Sequence, residues 1–139
     1  MKIRKMTIDD YEEVFAVWQA AGLDLAALDD SKPEIGRILT MNPTTCFVAE
    51  DQGKIVATVL GTFNGRRAWA HHLAVLPEYQ GKGLGKTLML KLEKQCLALG
   101  AIKLQLGVAS SNLAVIPFYK KLGFSPVKHA VWLSKTLRS

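Results

Sequence analysis

The chain has 139 residues, 49% hydrophobic and 22% charged, which suits one folded domain with a real core and excludes a fibrous or disordered class. Its net charge of +6 favours an anionic partner, but the basic groups "GRR" (65–67), "GKGLGK" (81–86) and "YKK" (119–121) are scattered rather than run together. That spread, with little aromatic interleaving, argues against nucleic acid as the partner. No apolar run reaches the roughly 18 residues of a membrane span, and "MKIRKMTIDD" has no apolar segment behind its charges. A cytoplasmic protein is therefore expected, with Cys46 and Cys96 as reduced, buried thiols. Two cysteines and three histidines without ligand spacing predict no metal site.

In chain order, "KIRKM" (2–6) alternates as a strand. Asp9 or Asp10 caps a helix through "YEEVFAVWQAAG", with Tyr11, Val14, Phe15 and Trp18 on one face and Gly22 at its end. Ser31, Pro33 and Glu34 mark the start of a second helix over about 32–41. Two hairpins follow. "TCFVAE" turns at Asp51-Gln52-Gly53 into "KIVATVLGTF", which turns at Asn64-Gly65 into "AWAHHLAV". A helix over 83–99 carries Leu84, Leu88, Leu92 and Cys96 on one stripe. Then come a strand, "AIKLQLGV" (101–108), a short helix in "NLAVIPFYKKLG", and one or two closing strands in "SPVKHAVWLSKTL". Strand 68–75, helix 83–99 and strand 101–108 form a βαβ unit, which makes those strands parallel. The fold class expected is α/β (α+β): one domain over 1–139, a mixed, mostly antiparallel sheet of six to seven strands, and helices on both faces.

Residues 80–86, "QGKGLGK", place three glycines in five positions directly before a helix. Either this is a tight turn or it is an anion site, where unpaired helix N–H groups and bare backbone admit a phosphate. Its place at the carboxyl end of a strand, where open α/β sheets put ligands, favours the anion site. Neither the P-loop pattern nor G-x-G-x-x-G is satisfied.

"LAVLPEYQGKGLG" resembles the acetyl-CoA site of the GNAT N-acetyltransferase family, whose (Gln or Arg)-x-x-Gly-x-(Gly or Ala) pattern falls on Gln80, Gly83 and Gly85. A second family block, Asn…Tyr-x-x-x-Gly-Phe, falls on Asn112, Tyr119, Gly123 and Phe124. The resemblance covers nearly the whole chain and extends to small bacterial members. It implies a GNAT-like domain that moves an acetyl group from acetyl-CoA, as co-substrate and without a metal, to a primary amine by direct attack in a ternary complex. The acceptor would be a small-molecule or peptide amine, and the chain a monomer or homodimer. The resemblance also implies that Gln80, Gly81, Lys82, Gly83, Leu84, Gly85 and Lys86 wrap the pyrophosphate, largely by backbone. Leu73, Ala74 and Val75 would pair with the pantetheine arm, and Asn112 would hold that arm by its side chain.

Acetyl transfer needs a neutral amine, a stabilised oxyanion and a protonated leaving thiolate. Tyr119 stands where the family keeps its general acid. Family bases lie four or six residues before Val75. Six back is Trp69, a departure from the Glu of several relatives, and four back is His71. Strand alternation puts Trp69, His71, Leu73 and Val75 on one face and His72 on the other, which favours His71. Two alternatives stay open: both histidines pack or hydrogen-bond without a catalytic role, or the amine binds already neutral. Asp24, Asp29, Asp30 and Glu34 form an acidic stretch that either draws in a cationic amine or caps helices. Two rival classes stand beside the enzyme: a catalytically silent acetyl-CoA sensor of the same fold, and a basic nucleic-acid-binding module.

Overall fold

The computed structural model describes residues 1–139 and divides them into two compact units, Met1–Leu106 and Gly107–Ser139.

The first unit is built on a five-stranded sheet in the order β1-β2-β3-β4-β5. β1 (Lys2–Lys5), β2 (Phe47–Asp51), β3 (Lys54–Phe63) and β4 (Ala68–Val75) pair antiparallel in sequence order. β5 (Leu104–Gln105) pairs parallel with β4, as the βαβ reading expects. Both hairpins form at the expected turns. Gln52 and Gly53 take positive φ between the paired Asp51 and Lys54, and Asn64 closes the second turn on the carbonyl of Arg67.

α1 (Tyr11–Ala20) follows a single helical turn whose Asp10 carboxylate accepts from the Thr7 N–H and from Arg4. Arg4 also pairs with Glu50, so β1, β2 and the start of α1 are pinned at one point. α1 lies on one face of the sheet. Its Trp18, fully buried, donates from Nε1 to the Thr58 hydroxyl of β3 at 2.9 Å. α2 (Lys32–Met41) starts and ends where the sequence predicts and buries Ile35.

α3 (Leu84–Ala98) covers the opposite face, burying Leu84, Leu88, Leu92 and Cys96. Gly61 of β3 is what lets it approach. A Cβ there would stand 2.3 Å from Leu92 Cδ1 and 2.7 Å from the Thr45 carbonyl. Thr58 and Gly61 are three apart, so they face opposite sides, and helices do lie on both faces. Cys46 and Cys96 are both free and buried, and burial pushes each thiol up to about 11.

The second unit holds one helical turn at Ser110–Val115 and then α4 (Ile116–Lys121). Gly123, at φ +96°, ends α4, and the Phe124 N–H returns to the Tyr119 carbonyl at 3.1 Å.

The strand count is corrected from six or seven to five. Residues 125–139 carry no strand, and Val127, Val131, Trp132, Leu133 and Leu137 are exposed. "AVWL" is a continuous apolar run, the pattern of a strand covered on both faces, and exposed residues gain nothing from that pattern. The strand expected over 101–108 shrinks to two residues before Gly107, although the Ile102 N–H to Arg66 carbonyl bond prolongs the attachment by a rung.

Candidate active site

β4 carries the first half of the site. Along the β3–β4 ladder, Thr58 pairs with Ala74 and Leu60 with His71, so Val59 alone faces both His72 and Leu73. This is a β-bulge, one extra residue in β4. It overturns the expected alternation. Leu60 and Thr58 share a face, so His71 shares it with Ala74. Val75, paired with Ala57, lies on the other, and so by alternation does Leu73. His72 reaches the same side as His71. Its ring lies 4.6 Å from that of Trp18, and its Nε2 is 2.6 Å from Asp30 Oδ1. Both histidines thus face α1 together.

Their surroundings differ. His71 Nε2 meets the Thr62 hydroxyl at 3.0 Å, and burial, aided by the nearby charge of His72, holds its pKa below the usual histidine value. His72 sits at φ +52°, in the left-handed region a side chain disfavours. Its carbonyl accepts from Thr58 Oγ1 at 3.0 Å. Asp30 is buried and held from behind: Oδ2 accepts the Ala26 N–H at 2.7 Å, and Tyr11 Oη donates to its carbonyl at 2.6 Å. Of the acidic stretch, only Asp24 and Asp29 remain exposed, since Glu34 lies 3.4 Å from Arg37.

The second half is the loop leaving β4. A helical turn at Pro77–Tyr79 leads to Gln80, whose Nε2 donates back to the Val75 carbonyl at 2.9 Å and closes the loop on the strand end. Gly81 and Gly83 take φ of +78° and +81°, and a Cβ at either would point into open space. Gly83 is the N-cap of α3 and no side chain caps that helix, so its first N–H groups are left for an outside acceptor. The first intrahelical bond is Thr87 N–H to the Gly83 carbonyl. Gly85 stands in the opening turn, while Leu84 turns its side chain into the core. Lys82 and Lys86 are exposed, with Lys82 Nζ 5.4 Å from the centre of the Tyr79 ring. Tyr79 in turn donates to Asp51 Oδ2 at 2.7 Å, which fixes the loop to β2. Unpaired backbone amides, the positive end of a helix dipole and two lysines are arranged so that an anion would be favoured there.

The remaining predicted residues belong to the second unit. Asn112 is exposed at the kinked helical turn before α4. Tyr119 is half-buried on α4 between the rings of Phe118 and Phe124, at 5.1 and 5.8 Å, and burial pushes its phenol pKa up.

Sequence reasoning passed over Asp30 as a partner for His72, and over Thr58, Trp18 and Thr62. Nothing in the sequence announces the bulge that joins them. No cluster of three or more His, Cys, Asp or Glu side chains is arranged to hold a metal.

The acetyltransferase of Sodalis glossinidius is 36% identical over 99% of this chain and 96% of its own. One from Yersinia pestis is 38% identical over the same shares. Among solved structures, Ard1 of Thermoplasma volcanium superposes with a TM-score of 0.81 at 23% identity, covering 91% of this chain and 84% of its own. The PaiA N-acetyltransferase of Thermoplasma acidophilum, in complex with coenzyme A, gives 0.78 at 23% identity over 89% of each chain. The sequence model of the acetyltransferase (GNAT) family matches residues 4–124, from β1 through the glycine loop to Phe124, and the chain belongs to that family.

Proposed function

We propose that this acetyltransferase moves the acetyl group of acetyl-CoA, its co-substrate, to a primary amine by direct attack while both substrates are bound. The observation that carries the reading is the uncapped start of α3 behind two left-handed glycines, directly after the end of β4. That arrangement supplies neutral backbone donors to a diphosphate without a metal. The PaiA relative, named for N-acetylation and bound to coenzyme A, supports the same assignment.

In this reading residues 80–86 hold the pyrophosphate by backbone N–H groups, with Lys82 and Lys86 adding charge at the rim. The main chain of Leu73, Ala74 and Val75 lies along the pantetheine arm, and Asn112 holds that arm. Tyr119 gives its proton to the leaving thiolate. Burial keeps the phenol protonated, so it has a proton to give as the thiolate leaves. The proton shed by the amine goes to a histidine of β4: His71, kept neutral by burial, or its neighbour. In this reading residues 1–139 act as a single N-acetyltransferase domain. The buried free thiols support a cytoplasmic setting.

The test is a panel of primary amines (polyamine, amino acid, aminoglycoside, peptide N-terminus) assayed for thiol release from acetyl-CoA. Release that depends on the amine supports the enzyme. Coenzyme A binding by calorimetry with no release for any amine would instead assign a silent sensor.

A further inference from the structure

Resting on the acetyl-transfer reading, we propose that His72, locked onto Asp30 in the β4 bulge, is the group that takes the proton from the attacking amine.

A side chain at φ +52° is strained, and such strain persists only where the surroundings impose it. Three contacts impose it here. Thr58 Oγ1 donates to the His72 carbonyl while itself accepting from Trp18 Nε1, so the backbone is held by a hydroxyl that is itself held. Trp18, fully buried, packs against the imidazole. Asp30 binds Nε2.

The carboxylate at Nε2 sets the tautomer. An ionised Asp30 only accepts, so Nε2 carries the hydrogen and Nδ1 keeps the lone pair. When Nδ1 takes a proton, the positive charge forms beside a carboxylate 2.6 Å away whose other oxygen is already bonded to the Ala26 N–H. The same logic lets an aspartate orient and support a histidine base in hydrolases. The His72 side chain keeps 23% of its surface open, so the ring is reachable. His71 is the weaker candidate, because burial opposes its protonation. The other ionisable groups on this side are Tyr11 of α1, which donates to the Asp30 carbonyl, and the Glu12–Lys32 pair joining α1 and α2 at 2.7 Å.

The step balances. The amine nitrogen bonds to the thioester carbon and the carbon–sulfur bond breaks. One proton passes from nitrogen to His72 Nδ1, and one passes from Tyr119 to the thiolate. Solvent then returns the proton from His72 to Tyr119.

The experiment is the pH dependence of kcat/KM for wild type, His72→Gln, Asp30→Asn and His71→Gln, using the amine of the panel that releases most thiol. His72→Gln should lower kcat by roughly a hundredfold or more and abolish the acid limb of the profile, with KM for acetyl-CoA little changed. Asp30→Asn should lower kcat and displace the limb. Nitrogen-15 spectra of histidine-labelled wild type should show His72 with hydrogen on Nε2. The proposal is overturned if His72→Gln keeps the limb, if only His71→Gln removes it, or if His72 carries its hydrogen on Nδ1. The last result stands even should His72→Gln fail to fold. A wild type that turns over no amine removes the acetyl-transfer reading as well, whereas turnover with an unmoved limb removes His72 alone.

Discussion

Tyr119 owes its assigned role to one oxygen. Tyr119→Phe keeps the ring packed between Phe118 and Phe124 and deletes only the donor. In steady-state kinetics kcat should fall by more than about tenfold while KM for acetyl-CoA stays near its original value, because the proton is needed only as the thiolate leaves. An unchanged kcat would take Tyr119 out of the reaction. Gly83 is tested by binding. At φ +81° an alanine costs roughly 1 kcal/mol of stability, which a melt would register as a drop of about 4 °C. Its methyl would also point into the open space before the helix N-terminus. Calorimetry should show coenzyme A affinity reduced at least about tenfold for Gly83→Ala. Undiminished affinity would move the pyrophosphate elsewhere. The glycines were legible in the sequence because a residue without a side chain is conspicuous before a helix. The relation of His71 to His72 was not. Period two holds only while each residue has one partner, and the second partner of Val59 left no mark in "AWAHHLAV".

Between elements, the closest fit is β3 against α3. Gly61→Ala forces a methyl against the Thr45 carbonyl, which is backbone and cannot rotate away. Urea unfolding should report a loss of about 1–3 kcal/mol or more, and an unmoved midpoint would contradict the packing. The buried stripe Leu84, Leu88, Leu92, Cys96 and both hairpin turns were readable because they obey local rules of helix period and turn chemistry. The segment after Phe124 was misread. "VKHAVWLSKTL" has strand-forming residues, yet a strand exists only through a partner's ladder, and no rule of composition supplies the partner.

For the molecule as a whole, two ionisation shifts set how stability follows pH. Arg4 holds the Asp10 carboxyl below its ordinary value of 3.8, so this contribution is full above that pH and is lost as pH falls further. His71 is held below 6.5 by burial, so the unfolded chain binds its proton more readily. Stability from this source is therefore complete above about 6.5 and declines as pH drops below it. A melting series should fall from pH 7 toward 5, and His71→Gln should flatten that slope. An identical slope in the variant would show that His71 is not the titrating group. The net charge of +6 favours an anionic co-substrate, and coenzyme A affinity should weaken with added salt. The central claim, acetyl transfer to an amine, is tested most directly by incubating the protein with acetyl-CoA carrying a carbon-13 acetyl group and the amine panel, then weighing the amines by mass spectrometry. The account predicts at least one amine carrying the labelled acetyl group on nitrogen, in an amount that rises with protein and drops by more than about tenfold for Tyr119→Phe at equal time. Label recovered only as acetate or unreacted acetyl-CoA, from protein that binds coenzyme A, would contradict it.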